Sequence, residues 1–467
     1  MSFETLLTFQ ETNIFGITLP IVKHSYAVRD SDSLPFIISE AFFLAQNGRP
    51  GPILIDIPKD VGLEDSNLFA YINFNELSNK KSYRTTYSTT TPTLNKLIKY
   101  LNQSYQPLIY AGGGTIRSNS SQILHLFAKL LQVPIACTLM GKGVYNEDDF
   151  LSLGMLGMHG TAYANFAVND CDLLLAFGAR FDDRVTGKLD EFACNAEVIH
   201  VDIDSAEISK NRTPQLSLIG DARSILIEII KKIRQNNATF SSKTKDWLER
   251  INNWRNMYPL FIPSQETTVV LPQDLLSHLK RNKQNAYYTT DVGQHQMWAA
   301  QLINCQPKKW ASSSGLGTMG FGLPAAIGIK IAHPKKNIIC ISGDSSVQMK
   351  IQELGTISQY KLGIQIIIIN NGWQGMVKQW QESFYGTRYS NSYMQKGMPD
   401  FTKLCLAYNI KGLIFDKINK LENLFKILNK FDDPIVIDAK VSENENCYPM
   451  VSPGRSSAHM LGLKKSN

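Results

Sequence analysis

Short β-branched runs alternate with helix-period segments along most of the chain, the pattern of parallel α/β units. Residues 33–46 (SLPFIISEAFFLAQ) read as an amphipathic helix ended by Gly48, and residues 52–57 (PILIDI) as a buried strand stopped by Pro58. A polar tract without apolar periodicity, 67–93, reads as a linker. A second block, 94–234, carries strand runs at 107–111, 133–137, 172–177 and 197–203. Another polar stretch, 235–266, holds Trp247 and Trp254 at near-helical spacing, as in a linker whose helix lies on a domain surface. A third block, 267–445, carries runs at 286–291, 337–342, 364–369 and 434–438, and 446–467 is a tail. The fold class expected is α/β with three domains, parallel sheets flanked by helices. The first domain (1–66) is expected to be incomplete, because one helix and one good strand would leave apolar surface bare.

Composition narrows the function classes. No apolar run approaches the roughly 18 residues of a membrane span; Ile366–Ile369 is among the longest. The net charge of +7 is scattered rather than massed in a stripe, so no nucleic-acid partner is indicated. Seven cysteines without C-x-x-C spacing argue against a zinc ribbon or a disulfide framework and fit a reducing compartment. Residues 1–11 (MSFETLLTFQE) lack the features of a targeting peptide, and the Ile, Asn and Lys bias hints at an AT-rich genome. A plastid or a bacterial cytoplasm is the expected setting.

The chemistry centres on two strand ends. The run 337–342 empties into Gly343-Asp344-Ser345-Ser346, with a helical pattern from about Val347. Such a turn is an anion site, with free N–H groups and a helix N-terminus facing the ligand. A carboxylate there requires a cation between itself and a phosphate. Mg²⁺ suits this role, sharing phosphate oxygens with one or two protein ligands. The next strand run ends in Asn370-Asn371-Gly372-Trp373, so both strands deliver oxygen ligands at their carboxyl ends.

This Gly-Asp…Asn-Asn pattern resembles the thiamin-diphosphate enzyme signature, with Ser345 where a Gly is usual. A Ser there is costly if φ must be positive; otherwise its hydroxyl can donate to the diphosphate. The stretches 292–301 (VGQHQMWAAQ), 314–328 (SGLGTMGFGLPAAIG), 375–385 (GMVKQWQESFY), 139–145 (LMGKGVY), 154–165 (GMLGMHGTAYAN) and 176–188 (AFGARFDDRVTGK) narrow it further. They resemble the catalytic large subunits of the acetolactate (acetohydroxyacid) synthase family from Phe9 to the C-terminus.

The resemblance implies pyruvate decarboxylation on thiamin diphosphate, then condensation with a second pyruvate or with 2-oxobutyrate, the first common step toward branched-chain amino acids. It places Mg²⁺ on Asp344, Asn371 and the Trp373 carbonyl. Thiamin diphosphate falls among Val292, Gln294, His295, Gly317, Met319, Gly343, Ser345, Ser346, Gly375 and Met376, with Met319 as the apolar prop that bends the cofactor. FAD is implied on the middle domain, by Phe9, Arg49, Gly112, Gly113, Gly114, Thr138, Leu139, His159, Gly178, Arg180, Asp182, Arg184, Asp202, Ile203 and Asp221. Gln10, Lys59, Arg184, Met376 and Trp380 would shape the acceptor pocket and its herbicide-binding mouth. A homodimer or larger assembly, often with a regulatory small subunit, is also implied.

The family's thiamin-activating Glu lies upstream of the segment matching Phe9-Gln10-Glu11, and this chain begins just before that segment. Cofactor binding is therefore expected more firmly than turnover. A fragment or misplaced start, an interrupted gene, or a non-catalytic remnant would each account for that beginning. Another FAD-containing thiamin enzyme, a pyruvate oxidase or glyoxylate carboligase, is the enzymatic alternative, disfavoured by the GMVKQW and RFDDRVTGK stretches.

Overall fold

A computed structural model describes residues 12–65, 89–235, 243–260, 269–283 and 285–465. The chain divides into two compact units, one of residues 1–88, 203–205 and 219–221, the other of the remainder. In the first, β1 (His24–Ala27) and β2 (Ile53–Asp56) pair in parallel around the helix Leu34–Gln46. The sequence missed β1, whose residues HSYA carry no apolar alternation. Phe36, Ile38, Phe42 and Leu63 of this unit are exposed.

The second unit contains two six-stranded sheets. One comprises β3 (Pro107–Ala111), β4 (Ile135–Cys137), β5 (Ser152–Met155), β6 (Leu173–Phe177), β7 (Glu197–Asp202) and β8 (Leu216–Ile219), in the order β5-β4-β3-β6-β7-β8. The other comprises β9 (Tyr287–Thr290), β10 (Trp310–Ser312), β11 (Ile338–Gly343), β12 (Ile364–Asn370), β13 (Lys411–Phe415) and β14 (Ile435–Lys440), in the order β10-β9-β11-β12-β14-β13. Its strands all pair in parallel.

Both sheets are covered on two faces, which explains why central strands read as unbroken apolar runs. In β12, Ile367 and Ile369 pack with Leu275, Trp298 and Phe425, while Ile366 and Ile368 pack with Leu323, Ile357 and Phe401. In β3, Ile109 packs with Phe127 and Ile229, whereas Leu108 and Tyr110 face Val168 and Trp247.

The strand orders locate two crevices. Chain direction across the sheet reverses beside β3 in the first sheet and beside β9 in the second. Ligands of open α/β sheets bind outside the carboxyl ends of strands at such reversals. The crevices therefore lie at the ends of β3 and β6, and of β9 and β11.

Several sequence expectations need adjustment. The second block, expected from residue 94, opens with a helix that starts at Thr91, capped by the Thr90 side chain, so the linker yields its last residues to it; residues 67–88 lie outside those described. The helix Lys245–Met257 inside the second polar stretch packs Trp247 and Ile251 into the apolar face of the first sheet, and Trp247 Nε1 donates to the Pro107 carbonyl at 3.0 Å. The tail includes a short antiparallel pair, β15 (Met450–Val451) with β16 (Met460–Leu461).

Candidate functional site

Asp344 is the first residue of the helix Asp344–Gln348, three residues earlier than the sequence pattern placed it. Two serines, weak helix formers, mask that start. The Asp344 side chain is buried at the end of β11. Its Oδ1 accepts from Ser345 N–H at 2.7 Å and its Oδ2 from Gly372 N–H at 2.7 Å. Burial pushes the carboxyl up to about 6, and the two backbone donors only partly oppose this. Gly372 reaches Asp344 because its φ of +74° turns the chain sharply after β12, a conformation that favours glycine.

Ser345 has helical backbone, so the feared left-handed cost does not arise. Its hydroxyl lies 3.4 Å from Asp344 Oδ1, turned toward the carboxylate. Ser346 Oγ donates to the Val292 carbonyl at 3.0 Å, joining β11 to the end of β9. Asn371 precedes Gly372, the residue whose N–H Asp344 accepts: its own Oδ1 accepts from Trp373 N–H at 3.2 Å and its Nδ2 donates to Gln294 Oε1 at 3.3 Å. Gln294, expected beside the diphosphate, thus also touches the metal-ligand candidate Asn371.

Sequence reasoning missed Asp291. This buried carboxylate at the end of β9 accepts from Gly320 N–H at 2.6 Å, Gly322 N–H at 3.1 Å and Ser342 Oγ at 2.6 Å. It folds the glycine-rich loop 314–322 back over the crevice and so places Gly317 and Met319. Gly317 has φ +70° and lies within contact range of Val292, and Met319 is half-buried on the same loop. His295 is buried, its ring pressed against Gly293 and Gly343, and burial lowers its basicity. Its Nε2 has no partner among the described residues.

The helix Gly375–Phe384 starts against this cluster. A Cβ at Gly375 would collide with Gln294 Oε1 and stand 2.9 Å from Asn371 Nδ2, so glycine permits the close approach. Met376 and Trp380 are half-buried on this helix, Trp380 edge-on to Phe384 at 5.3 Å.

The crevice beside β3 gathers a second set. Gly112, Gly114 and Gly178 stack backbone on backbone: a Cβ at Gly112 would overlap the Gly178 carbonyl, and one at Gly178 would lie 2.6 Å from Gly114 Cα. The resemblance gave these glycines to FAD alone; the structure adds that two loops could not otherwise cross here. Gly113 instead faces the Met140 side chain. Thr138 caps the turn Leu139–Gly141, its N–H bonded to the Ala111 carbonyl at 3.0 Å. Arg180 pairs with Asp182 at 2.7 Å, and Asp182 caps the short helix bearing Arg184. Asp202 ends β7, 4.0 Å from His200.

The loop that bears His159 is tied to Arg184 by the preceding residue, since Met158 N–H donates to the Arg184 carbonyl at 2.8 Å. Burial lowers the His159 imidazole to about 4, against the opposing pull of the Cys447 and Pro449 backbone. The folded value is below the unfolded one, so this contribution to stability is present above about pH 6.5 and is lost as pH falls toward 4. Between pH 7.5 and 5 the parent chain should lose about 2 kcal/mol more stability than a His159→Gln variant, read from urea midpoints. Equal losses would contradict a buried neutral imidazole.

Arg49, Lys59, Ile203 and Asp221 belong to the first unit, where Arg49 pairs with Asp204 at 3.0 Å and Lys59 is exposed. Phe9 and Gln10 lie outside the described residues.

Comparison with known proteins agrees with the two-sheet geometry. Residues 94–229 match the central domain of thiamine pyrophosphate enzymes, and residues 291–439 match their C-terminal TPP binding domain. The chain is 54% identical over 457 residues to the acetolactate synthase large subunit of Pyropia yezoensis, covering 98% of this chain and 77% of that one. It is 52% identical over 458 residues to the corresponding subunit of Cyanidium caldarium, covering 98% and 78%. Against the acetolactate synthase of Arthrospira platensis it is 45% identical over 459 residues, covering 97% and 79%.

Proposed function

Because this chain belongs to the acetolactate synthase large-subunit family, a thiamin-diphosphate-dependent carboligase family, we propose that its two crevices hold Mg²⁺–thiamin diphosphate and FAD. The observation that carries the metal assignment is the buried Asp344 carboxyl, pushed up to about 6 and bonded to the backbone N–H of Gly372, the residue that follows Asn371. A buried anion of this kind needs a cation. An Asp carboxylate, an Asn amide oxygen and the Trp373 carbonyl form a hard oxygen set suited to Mg²⁺ that also shares phosphate oxygens.

His295, with its buried unpartnered Nε2, and the Gly343–Ser346 turn line the diphosphate end. Met319 and the Gly317 carbonyl stand on the loop tied down by Asp291 and meet the organic rings. When bound, the cofactor supplies an electron sink for breaking the C–C bond of a 2-oxo acid. The protein's part is orientation and exclusion of water. Arg184 offers a cation for an acceptor carboxylate, with Met376 and Trp380 forming the apolar wall of that pocket.

For FAD, the support is a strand order that puts the direction reversal beside Gly112 and Gly178, where tightly crossed loops present backbone rather than side chains. Thr138, Leu139, His159, Arg180, Asp182 and Asp202 are the residues we assign to that site. The balanced reaction joins two pyruvates into 2-acetolactate with release of one CO₂, or pyruvate and 2-oxobutyrate into 2-aceto-2-hydroxybutyrate. A homodimer or larger assembly with a regulatory small subunit completes the proposal, in a plastid or a bacterial cytoplasm. Among the described residues no helix is long and apolar enough to cross a membrane.

Product analysis with pyruvate, thiamin diphosphate, Mg²⁺ and FAD tests the reading. Acetolactate is expected. Acetyl phosphate formed in the presence of phosphate and oxygen, or tartronate semialdehyde from glyoxylate, would favour the other FAD-containing thiamin enzymes.

A further inference from the structure

The amides behind Asn371 form a directed chain. Asn371 Nδ2 donates to Gln294 Oε1 at 3.3 Å, and Gln294 Nε2 donates to Gln379 Oε1 at 2.8 Å. Gln379 is fully buried and closes the chain on backbone: its Nε2 donates to the Cys447 carbonyl at 2.9 Å, and Cys447 N–H donates to its Oε1 at 3.0 Å. A carboxamide can bind with its oxygen and nitrogen exchanged, and amide pairs alone leave both flips open. A backbone N–H and C=O cannot exchange roles. Cys447 therefore settles Gln379, the Gln379 oxygen admits only the Gln294 nitrogen, and the Gln294 oxygen admits only the Asn371 nitrogen.

A second branch enforces the same direction. Gln294 Nε2 also donates to Asn446 Oδ1 at 3.2 Å, and Asn446 Nδ2 donates to Glu382 Oε2 at 2.7 Å. An ionised carboxylate can only accept, so Asn446 must present its oxygen to Gln294. Asn371 is left with Oδ1 turned away from Gln294, the orientation a hard cation requires.

We propose that Gln379 is a positioning residue for the metal site: through its short bond to Gln294 it holds the Asn371 amide in the flip that turns Oδ1 to the cation, with the longer Asn446 contact and the Trp373 N–H as weaker supports. This rests on the assignment of Mg²⁺–diphosphate to Asp344 and Asn371. The test is calorimetric titration of the full chain with thiamin diphosphate at fixed Mg²⁺, alongside melting curves without cofactor. Gln379→Met keeps the volume and removes the amide. Its affinity should fall by about tenfold, the lower end of the cost of losing a residue behind a metal ligand, with melting near the parent's. Gln379→Glu, as a buried neutral acid, keeps one donor and one acceptor and should bind within a few-fold of the parent. The double variant Gln294→Met/Gln379→Met should bind no more weakly than Gln294→Met alone.

Parent-like affinity in Gln379→Met, losses that multiply in the double variant, or equal losses in the Met and Glu variants would each overturn the proposal. If Gln379→Met does not fold, Gln379→Glu carries the test, and weak binding by it is the overturning result. A parent chain that shows no Mg²⁺-dependent binding overturns the metal assignment and this inference together. Intact binding in both parent and Gln379→Met overturns this inference alone.

Discussion

Replacing Asp344 with Ala should weaken Mg²⁺-supported thiamin-diphosphate binding by about 100-fold or more, because losing a residue merely behind a metal ligand already costs roughly 10–100-fold. The direct ligand should reach or exceed the top of that range. The fold should tolerate the change. Burial makes the charged Asp344 carboxylate unfavourable without a cation, and its removal relieves that cost while leaving the Ser345 and Gly372 N–H groups and the weakly bonded Ser345 hydroxyl without their acceptor. Melting of the cofactor-free variant should therefore stay near the parent's, while the stabilisation that Mg²⁺ and thiamin diphosphate confer on the parent disappears. Calorimetry and thermal melts with and without ligand separate these outcomes. Retained cofactor stabilisation in Asp344→Ala would place the metal elsewhere.

The second large effect belongs to the middle sheet. Gly112→Ala should destabilise this domain by about 3 kcal/mol or more and abolish flavin uptake, although only one methyl is added. Gly112 has extended backbone, so the reason is space rather than conformation. The added carbon would overlap the Gly178 carbonyl and stand 2.7 Å from Ala179 Cα, backbone atoms that cannot rotate aside. Gly113→Ala is the internal comparison: its nearest neighbour is Met140 Cβ at 3.0 Å, a contact that a shift of a few tenths of an ångström relieves. Urea midpoints and FAD fluorescence should show a large loss for the first and a small one for the second. Equal losses would remove the crossed-loop explanation.

The sequence made the central strands legible because both sheet faces are covered. Runs such as Ile366–Ile369 could be little else in a chain of this length. It was poor at sheet edges and short strands. The pair Trp310–Ser312 is too brief to show a period, and Lys411–Phe415, an edge strand, has half-exposed positions. The metal-ligand candidates were legible because they follow the two strongest strands directly. Asp291 was not, since its partners Gly320 and Gly322 are distant in sequence and only the folded loop brings their N–H groups to it. Gln379 was hidden for another reason. In GMVKQWQ a glutamine looks like a solvated helix position, and only the return of Cys447 against the helix buries it. The three glycines after β3 were noticed for a ligand, whereas the crossing of Gly178 over them depends on strand order, which local pattern does not encode.

A divalent cation joining Asp344 and Asn371 to a diphosphate is the centre of the proposed site. The most direct measurement is calorimetric titration of thiamin diphosphate into the parent chain, in Mg²⁺ and again in excess EDTA. Saturable binding with Mg²⁺ that falls at least about 100-fold in EDTA is the expected result. Binding of equal strength in both buffers would contradict it.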